Sequence, residues 1–266
     1  MLIGVPKEIK SDEYRIGLTP ESVEMLTQSG HEVMIEQNAG LGIGKDNKAY
    51  EDAGAEIVPT REEIFQRAEM IVKVKEPQLD ECALLRSDQI LFTYLHLAAE
   101  PDLLECMLEK NVTGIAYETV EDRQGRLCLL HPMSEIAGRL VSQVSARLLT
   151  NIEQGVGKLL SGVPGSGNCS AFIIGGGTVG LNAAMALMGA GADVTVADIN
   201  LDRIREIDTL TKGQVKTIYP TPAALAEKIS HSEVVVGAVL VPGAKAPRIV
   251  NRDMVKEMMP LSLIHI

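Results

Sequence analysis

Short runs of apolar and β-branched residues alternate with helix-forming stretches along the whole 266-residue chain. A strand followed by a helix and a second strand forms a βαβ unit, in which the two strands lie parallel. The alternation therefore predicts an α/β protein built on mostly parallel sheets. The predicted strands cover residues 2–5, 32–36, 56–58, 70–75, 89–95, 112–117, 171–174, 193–198, 215–219 and 233–238.

The longest helical signal lies in the middle of the chain. Over residues 133–153 the apolar positions recur with a period near that of a helix, which predicts one helix with a single apolar stripe. A glycine-rich break follows at 155–167, and the alternation of strands and helices then resumes. We predict two α/β domains, 1–130 and 131–266, each with a doubly wound sheet and joined by the long helix.

Local signals mark where shorter helices begin and end. Thr19 followed by Pro20 predicts an N-cap and a first helical residue, and Gly30 predicts the end of that helix. Pro101 is predicted to open another helix, which Asn111 closes.

Composition and hydropathy together argue against nucleic acid and membranes as partners. Lys and Arg total 25 against 36 Asp and Glu, a net charge of −11, whereas binding to phosphate backbones requires a basic surface. Aromatic residues make up only 3% of the chain, too few for a base-stacking surface. Neither a membrane-spanning apolar stretch nor a basic leader is present, so we predict a cytoplasmic location.

The four cysteines form no C-x-x-C pair and show no zinc-ligand spacing to a histidine. We therefore predict reduced, mostly buried thiols and no metal site. The cysteines are Cys82, Cys106, Cys128 and Cys169.

A glycine-rich turn in the second predicted domain carries the strongest functional signal. Residues 175–180 fit G-x-G-x-x-G and lie between a predicted strand at 171–174 and a helix rich in small residues. In this pattern Gly175 permits a tight turn, Gly177 lets a pyrophosphate approach the backbone, and Gly180 lets the helix pack on the strand. We predict a Rossmann-like dinucleotide site; the alternative is a glycine-rich turn that binds no ligand.

The acidic residue after the next strand indicates which dinucleotide binds. Asp198 lies 18 residues after Gly180, near the ~20 expected for the acid that binds the ribose hydroxyls. Its charge would repel a 2′-phosphate, which favours NAD over NADP, although Arg203 nearby is a residue type that accepts that phosphate. A second glycine cluster at 40–44 is followed by no such helix or acid, and we interpret it as a loop.

Ionisable residues near strand ends in the first predicted domain suggest a second site. Lys75 ends one predicted strand, His96 follows another, and Arg15 lies in the loop before the Thr19 cap. Ligands of open α/β sheets bind beyond the carboxyl ends of strands. Two cations suit a small carboxylate, and an imidazole with a pKa near ~6.5 exchanges protons at neutral pH. Each residue alone is consistent with a structural role; together they favour hydride chemistry on a small 2-substituted acid.

Several segments match motifs of one family when they are taken together. They are 7–10, 13–20, 72–77, 132–138, 175–180 and 237–247. With them, T-Y-L-H-L-A at 93–98 resembles the alanine dehydrogenases and, less closely, the related proton-translocating transhydrogenase subunits, which lack this histidine.

The resemblance implies reversible oxidative deamination of L-alanine to pyruvate and ammonium, with NAD accepting the hydride. It assigns Arg15 and Lys75 to the substrate carboxylate, and His96 to acid–base chemistry on imine and carbinolamine intermediates. Domain 1–130 would bind substrate, domain 131–266 would bind NAD, and six copies would form a homo-hexamer. The NAD contacts it implies are Ser134, Thr178, Val179, Asp198, Arg203, Val239 and Leu240.

Two departures from the family pattern bear on activity. Pro220 stands where many members have a serine near the adenosine. The family continues for about a hundred further residues, including a catalytic aspartate, whereas this sequence ends in an apolar run at 261–266. We expect a truncated second domain with an exposed edge strand, and impaired activity. Two alternatives stay open: a transhydrogenase-like subunit that moves hydride between NAD and NADP, and a non-catalytic NAD-binding fragment.

Overall fold

The computed structural model describes residues 1–241 and 246–265. The chain forms two compact units, Met1–Leu130 and a second that begins at His131. Each unit contains a parallel sheet with helices between its strands, as the alternation predicts. Residues 242–245 of the 237–247 motif, and Ile266, lie outside the described residues.

Among the described residues, the first unit is built on six parallel strands. They are β1 (Leu2–Val5), β2 (Glu32–Glu36), β3 (Glu56–Val58), β4 (Met70–Val72), β5 (Ile90–Thr93) and β6 (Thr113–Ala116). The connecting helices are α1 (Pro20–Gln28), α2 (Asn47–Asp52), α3 (Arg61–Arg67), α4 (Leu79–Leu84) and α5 (Pro101–Lys110). The strand order is β3-β2-β1-β4-β5-β6, that of a doubly wound sheet. The order reverses between β1 and β4, the position at which open sheets of this kind form a ligand-binding crevice.

Helices cover both faces of this sheet. In β2, Val33 and Ile35 pack in one core with Val23 of α1, whereas Met34 between them packs in the opposite core with Ile64 of α3. A strand buried on both faces needs apolar residues at consecutive positions, because neither face meets water. This explains why the strands appear in the sequence as continuous apolar runs.

Within the described residues, the second unit has the same doubly wound arrangement on five strands. They are β7 (Ser170–Ile174), β8 (Asp193–Ala197), β9 (Lys216–Ile218), β10 (Val234–Gly237) and β11 (Leu263–His265). Its helices are α6 (Leu130–Leu148), α7 (Thr178–Gly189), α8 (Leu201–Thr211), α9 (Pro222–Ser230) and α10 (Arg252–Lys256). The order is β11-β10-β7-β8-β9, so the reversal lies between β7 and β10. Part of the apolar run at 261–266 thus forms an edge strand, with Leu263 opposite Val234.

Three predicted boundaries differ from the structure. The helix predicted over 133–153 is α6, which ends at Leu148, because Thr150 adopts an extended conformation (ψ 152°) and a separate 3-10 turn follows at Asn151–Glu153. The strands predicted to reach Lys75 and 95 end at Val72 and Thr93. The second amide past each strand end donates to a glutamate side chain, that of Val74 to Glu8 after β4 and that of Leu95 to Glu118 after β5.

The prediction that all four cysteines are reduced is wrong for one pair. Cys82 of α4 and Cys106 of α5 form a disulfide across two neighbouring helices. Their separation of 24 residues carries no motif, and only the packing of α4 against α5 brings the two sulfurs together. Cys128 and Cys169 are free thiols, the first exposed and the second buried.

Candidate functional site

Three residues singled out in the sequence follow three neighbouring strands of the first unit. Arg15 lies in the loop after β1, Lys75 lies beyond β4, and His96 lies beyond β5. Because β1, β4 and β5 are parallel and adjacent, their carboxyl ends meet at one edge of the sheet. This edge includes the reversal between β1 and β4, where open α/β sheets bind ligands.

Arg15 is held in place by Glu13, two residues before it. The Arg15 Nε donates to Glu13 Oε1 at 2.8 Å, and a second guanidinium nitrogen donates to Oε2. The Glu13 side chain is only 7% exposed, whereas that of Arg15 is 46% exposed. Hydrogen bonds from Arg15 lower the pKa of Glu13, with a smaller lowering by the charge of Lys75. Glu13 therefore keeps a cation pointed toward solvent at this edge.

Two glycines let neighbouring loops press against the Arg15 segment. A Cβ built on Gly42 would lie 2.1 Å from the Tyr14 carbonyl oxygen, far inside any permitted contact. A Cβ on Gly17 would lie 2.8 Å from the Val72 carbonyl oxygen at the end of β4. The cluster at 40–44 is thus a supporting loop, with a short 3-10 turn at Leu41–Ile43, as the sequence indicated.

Lys75 is half-buried and its backbone is fixed from both sides. Its N–H points to Glu8 Oε1 at 3.4 Å, and its carbonyl accepts from the Thr93 hydroxyl at 2.9 Å. Thr93 is the last residue of β5, so its hydroxyl ties the ends of two neighbouring strands together.

His96 sits in an unusual backbone conformation that Glu118 stabilises. The φ of His96 is 49°, a left-handed value that non-glycine residues rarely adopt. One carboxylate oxygen of Glu118 accepts from the His96 N–H at 2.6 Å, and the Leu95 N–H lies 3.2 Å from both oxygens. The His96 Nδ1 is 3.9 Å from Glu118 Oε1, and the ring, 45% exposed, stacks on Tyr94 at 5.8 Å.

The electrostatics of Tyr94 show that the residues of this edge are gathered together. Burial raises the pKa of Tyr94; the charge of Arg15 opposes that shift and the charge of Glu118 adds to it. The ring that stacks on His96 therefore lies within electrostatic range of Arg15. An edge with two cations and an exposed imidazole can bind the carboxylate of a small acid, and the imidazole can exchange a proton with another group of the same molecule.

Sequence reasoning missed Glu8, Glu13 and Glu118, which orient these groups. One signal was available for Glu118, because it follows β6 and so reaches the same carboxyl edge as His96. Nothing local marks Glu8, which reaches Val74 across 66 positions of sequence.

The glycine turn of the second unit lies at the end of β7 and opens α7. Gly175 has a φ of 101°, and a Cβ there would lie 2.7 Å from the Ala238 carbonyl oxygen beyond β10. A Cβ on Gly180 would lie 1.8 Å from the Gly175 carbonyl oxygen. Both positions thus exclude any side chain in the folded protein.

Gly177 differs from these two glycines, because it is the N-cap of α7 and is exposed. A Cβ on it would meet no described atom within 4 Å. The first N–H groups of a helix lack intrahelical acceptors and favour an anion. Open space before such N–H groups fits the pyrophosphate of a dinucleotide.

Asp198 and Arg203 brace this turn from the next strand and helix. The Gly176 N–H donates to Asp198 Oδ2 at 2.6 Å, and the Asn200 N–H donates to Asp198 Oδ1 at 2.8 Å. Arg203 donates to the Gly176 carbonyl, to the Gly177 carbonyl at 3.3 Å and to Glu206 at 2.5 Å. The guanidinium that could have served a 2′-phosphate is therefore engaged with the turn itself.

The remaining predicted contacts flank the same turn. Thr178 opens α7, and its hydroxyl lies 3.3 Å from His131 Nδ1 in the first turn of α6, the helix that also carries Ser134. A Cβ on Gly138 of α6 would lie 2.4 Å from the Val179 carbonyl oxygen, so α6 and α7 touch closely. Val239 and Leu240 follow β10, and Val239 Cγ2 would lie 2.9 Å from a Cβ on Gly175.

The described residues contain neither a metal-binding cluster nor a membrane-spanning helix. Across 1–241 and 246–265, no group of three or more His, Cys, Asp or Glu side chains is placed to hold a metal ion. In that same part of the chain, no helix has the length and apolar character needed to cross a membrane.

Comparisons with known proteins agree with this arrangement. The N-terminal domain family of alanine dehydrogenase/PNT matches residues 4–137, and the corresponding C-terminal domain family matches 141–264. The chain is 50% identical over 265 residues to an alanine dehydrogenase of Bacillus subtilis, covering 99% of this chain and 69% of that protein. A solved L-alanine dehydrogenase is 46% identical with a TM-score of 0.89, covering 99% of this chain and 73% of that one.

A solved transhydrogenase from Sinorhizobium meliloti is a more distant neighbour. It is 25% identical with a TM-score of 0.79, covering 99% of this chain and 77% of that one. Fold, glycine turn and relatives together define an α/β oxidoreductase that uses a nicotinamide cofactor. The chain belongs to the alanine dehydrogenase/PNT family, which confirms the family and the α/β fold predicted from its motifs.

Proposed function

We propose that this protein catalyses the NAD-dependent, reversible oxidative deamination of L-alanine to pyruvate and ammonium. The observation that carries the proposal is the placement of Arg15, Lys75 and His96 beyond three neighbouring strands at the reversal of the first sheet. The relatives named alanine dehydrogenase support the choice of substrate. In this proposal 1–130 is the substrate domain and 131–266 the NAD domain.

Arg15 and Lys75 bind the substrate carboxylate. Arg15 offers a guanidinium whose orientation Glu13 sets, and Lys75 offers an ammonium on a backbone anchored at both ends. Two cations at one edge favour a small anion over a neutral amine or alcohol, so the carboxylate determines how the substrate lies.

His96 moves the proton. NAD, when bound, supplies the acceptor for the hydride that leaves the alanine Cα. Alanine reacts as the free amine, so loss of the hydride leaves an iminium. The imidazole takes a proton from the water that attacks the iminium carbon and gives it to the nitrogen of the carbinolamine; as the C–N bond breaks, the departing nitrogen takes the hydroxyl proton, and pyruvate and ammonium are released. Glu118 holds the backbone of this residue in the left-handed conformation from which the ring projects into solvent.

The second unit supports NAD rather than NADP. Asp198 places a carboxylate beside the glycine turn, where it accepts ribose hydroxyls and repels a 2′-phosphate. Arg203 is engaged by two backbone carbonyls and Glu206, which supports a bracing role for it. Gly175, Gly177 and Gly180 would shape the pyrophosphate cradle, and the other expected contacts are Ser134, Thr178, Val179, Val239 and Leu240.

The test follows NADH absorbance while L-alanine and NAD are supplied to the purified protein. We expect NADH to form with L-alanine, little reaction when D-alanine or NADP is substituted, and NADH consumption when pyruvate and ammonium are added together. Binding of NAD without turnover would support the non-catalytic alternative and overturn the proposal. Hydride transfer from NADH to an NADP analogue in the absence of alanine would favour a transhydrogenase-like activity instead.

We also propose that the protein assembles as a homo-hexamer in the cytoplasm. Exposed apolar side chains in the second unit support burial by another copy; they include Ile136 at 50%, Leu140 at 45% and Ile152 at 91% exposure. Light scattering during size-exclusion chromatography measures the assembly directly, and a monomer at micromolar concentration would contradict it.

A further inference from the structure

A buried cluster of three charged residues lies next to Lys75 and has no part in the proposed chemistry. Lys73 is completely buried, and its Nζ lies 3.1 Å from Glu8 Oε2 and 2.8 Å from Glu81 Oε1. Both glutamates are buried as well, Glu8 at 6% exposure and Glu81 at 0%. Lys73 is only two residues before Lys75, so the cluster adjoins the segment that presents the proposed substrate ligand.

Such a cluster is a poor means of stabilising a fold. Removing charges from water costs free energy, and apolar residues of similar volume often stabilise a core as well or better. Burial raises the pKa of Glu8, and the charge of Lys73 and the Val74 N–H only partly oppose that shift. The charges at this position therefore require an explanation other than stability.

The Oε1 oxygen of Glu8, which is not the one bonded to Lys73, suggests what the cluster does. Glu8 Oε1 accepts from the Val74 N–H at 2.6 Å and lies 3.4 Å from the Lys75 N–H. Strand β4 ends at Val72, so these two amides have left the regular strand. Glu8 Oε1 is the acceptor for these N–H groups that the carbonyls of a neighbouring strand would otherwise provide. Lys73 holds the other oxygen of the same carboxylate.

The rest of the cluster limits how far this carboxylate can move. Glu81 Oε1 holds Lys73 from α4, and Glu81 Oε2 accepts from the Gln78 N–H at 2.9 Å, which caps that helix. On the far side of Lys75, Thr93 holds the carbonyl. The peptide groups on both sides of the Lys75 Cα thus have fixed partners, and its side chain leaves a fixed backbone.

We infer that Glu8 is a positioning residue for Lys75, and that Lys73 and Glu81 serve by holding the Glu8 carboxylate in place. The inference rests on the proposed function, in which Lys75 binds the substrate carboxylate. Without Glu8, the backbone at 74–75 loses its acceptor and the Lys75 ammonium loses its fixed direction. The affinity for alanine and pyruvate falls, while binding of the nicotinamide cofactor in the other unit is unaffected.

The experiment compares Glu8→Ala and Glu8→Gln with wild type in steady-state kinetics in both directions. For Glu8→Ala we expect KM for alanine and for pyruvate to rise about tenfold, with kcat within about twofold and the Kd for NADH unchanged. Glu8→Gln keeps an oxygen that can accept from the Val74 N–H, so we expect its KM to lie between the two.

Glu233→Ala is the matched control. Glu233 also pairs with a lysine, Lys158, and accepts from a backbone N–H, that of Ser170 at 2.6 Å, but at the amino end of β7. It should reduce thermal stability without changing KM for alanine. If Glu8→Ala behaves like this control, or lowers kcat alone, the positioning role is overturned.

Amide hydrogen exchange of Val74 and Lys75 tests the positioning independently of turnover. We expect faster exchange at these two amides in both Glu8 variants and unchanged exchange in Glu233→Ala; equal exchange in all proteins overturns the inference. A wild-type protein that does not turn over alanine refutes the proposed function, while the exchange result still decides whether Glu8 fixes this backbone. If Glu8→Ala does not fold, Glu8→Gln carries both comparisons.

Discussion

The two units have the same doubly wound sheet topology, but their candidate sites are built in opposite ways. At the reversal of the first sheet, charged side chains form the candidate site, and carboxylates hold them in place: Glu13 holds Arg15, and Glu118 holds the His96 backbone. At the reversal of the second sheet, the site is formed by missing side chains, with Gly175 and Gly180 allowing backbone segments to touch.

The difference follows from the two ligands that the units are proposed to bind. A small carboxylate has little surface, so its affinity must come from cationic side chains that are held in a fixed orientation. A dinucleotide carries a pyrophosphate that backbone N–H groups can bind, provided that no side chain keeps it away. Substitutions in the first unit should therefore act on substrate kinetics, and those in the second on folding or cofactor affinity.

The largest expected effect is on kcat, from His96→Asn. Asparagine tolerates left-handed backbone better than most residues, so the variant should fold despite the φ of 49°. Loss of the acid–base group should lower kcat by about 10²–10⁴-fold. Stopped-flow and steady-state NADH measurements provide the rates; activity within about threefold of wild type would exclude His96 as the proton carrier.

The next largest effects are expected from two glycine substitutions. One glycine is needed for backbone segments to pack in the folded protein, and the other is needed for the cofactor to approach. Gly180→Ala brings a methyl group to 1.8 Å from a carbonyl oxygen and should lower the free energy of unfolding by about 3 kcal/mol or more. Gly177→Ala meets no described atom and should cost about 1 kcal/mol or less, since alanine is only a weaker N-cap.

NADH affinity should show the opposite order: among the variants that fold, Gly177→Ala should have the larger defect although it loses less stability. Gly177→Ala should weaken NADH binding about tenfold or more, because the methyl group stands where the pyrophosphate approaches the N-terminus of α7. Gly189→Ala, at the other end of α7 and equally free of described neighbours, is the control and should bind NADH normally. Denaturant titration and NADH fluorescence measure the two quantities; normal binding by Gly177→Ala would refute the cradle.

An intermediate effect is expected from Arg15→Lys. Lysine keeps the charge but loses the planar fork that both Glu13 and a carboxylate can bind. KM for alanine should rise about tenfold with a smaller change in kcat, a loss of about 1.4 kcal/mol of binding free energy. Arg123→Lys, in an exposed loop, serves as the control. An unchanged KM would remove Arg15 from the substrate site.

The smallest effect is the pH dependence contributed by Glu13. Arg15 lowers the pKa of this carboxyl from 4.5, so ionised Glu13 stabilises the fold above that value and loses its contribution as the pH falls through the lowered one. Glu13→Gln should therefore be less stable than wild type by no more than about 1 kcal/mol near neutral pH. The gap should shrink below pH 4.5 in thermal unfolding series; a gap that grows on acidification would contradict the pairing.

Most of the fold could be predicted because its causes are local. Continuous apolar runs marked ten strands, and Thr19, Pro101 and Asn111 marked helix ends where the structure has them. Strand ends were harder, since just past β4 the Val74 amide donates to Glu8, which is remote in sequence. The second-unit turn was predictable for the same reason, because its glycines are adjacent in sequence.

The first-unit site was predictable only in its exposed members. Arg15, Lys75 and His96 follow strands and could be placed by chain order. The carboxylates that fix Lys75 and His96 depend on tertiary contacts: Glu118 reaches His96 across 22 positions, and Glu8 reaches Val74 across 66. The disulfide between Cys82 and Cys106 likewise depends on how two helices pack.

The contact of Gly42 with the Tyr14 carbonyl has a consequence for mutational surveys of this enzyme. Any side chain at 42 must push its loop away from Tyr14, and the neighbouring Arg15 with it. In a survey scored by growth on alanine, we expect position 42 to rank among the intolerant sites, because its substitution displaces the Arg15 segment. Raising the alanine concentration should relieve the defect. This response distinguishes a displaced Arg15 side chain from one that has been removed.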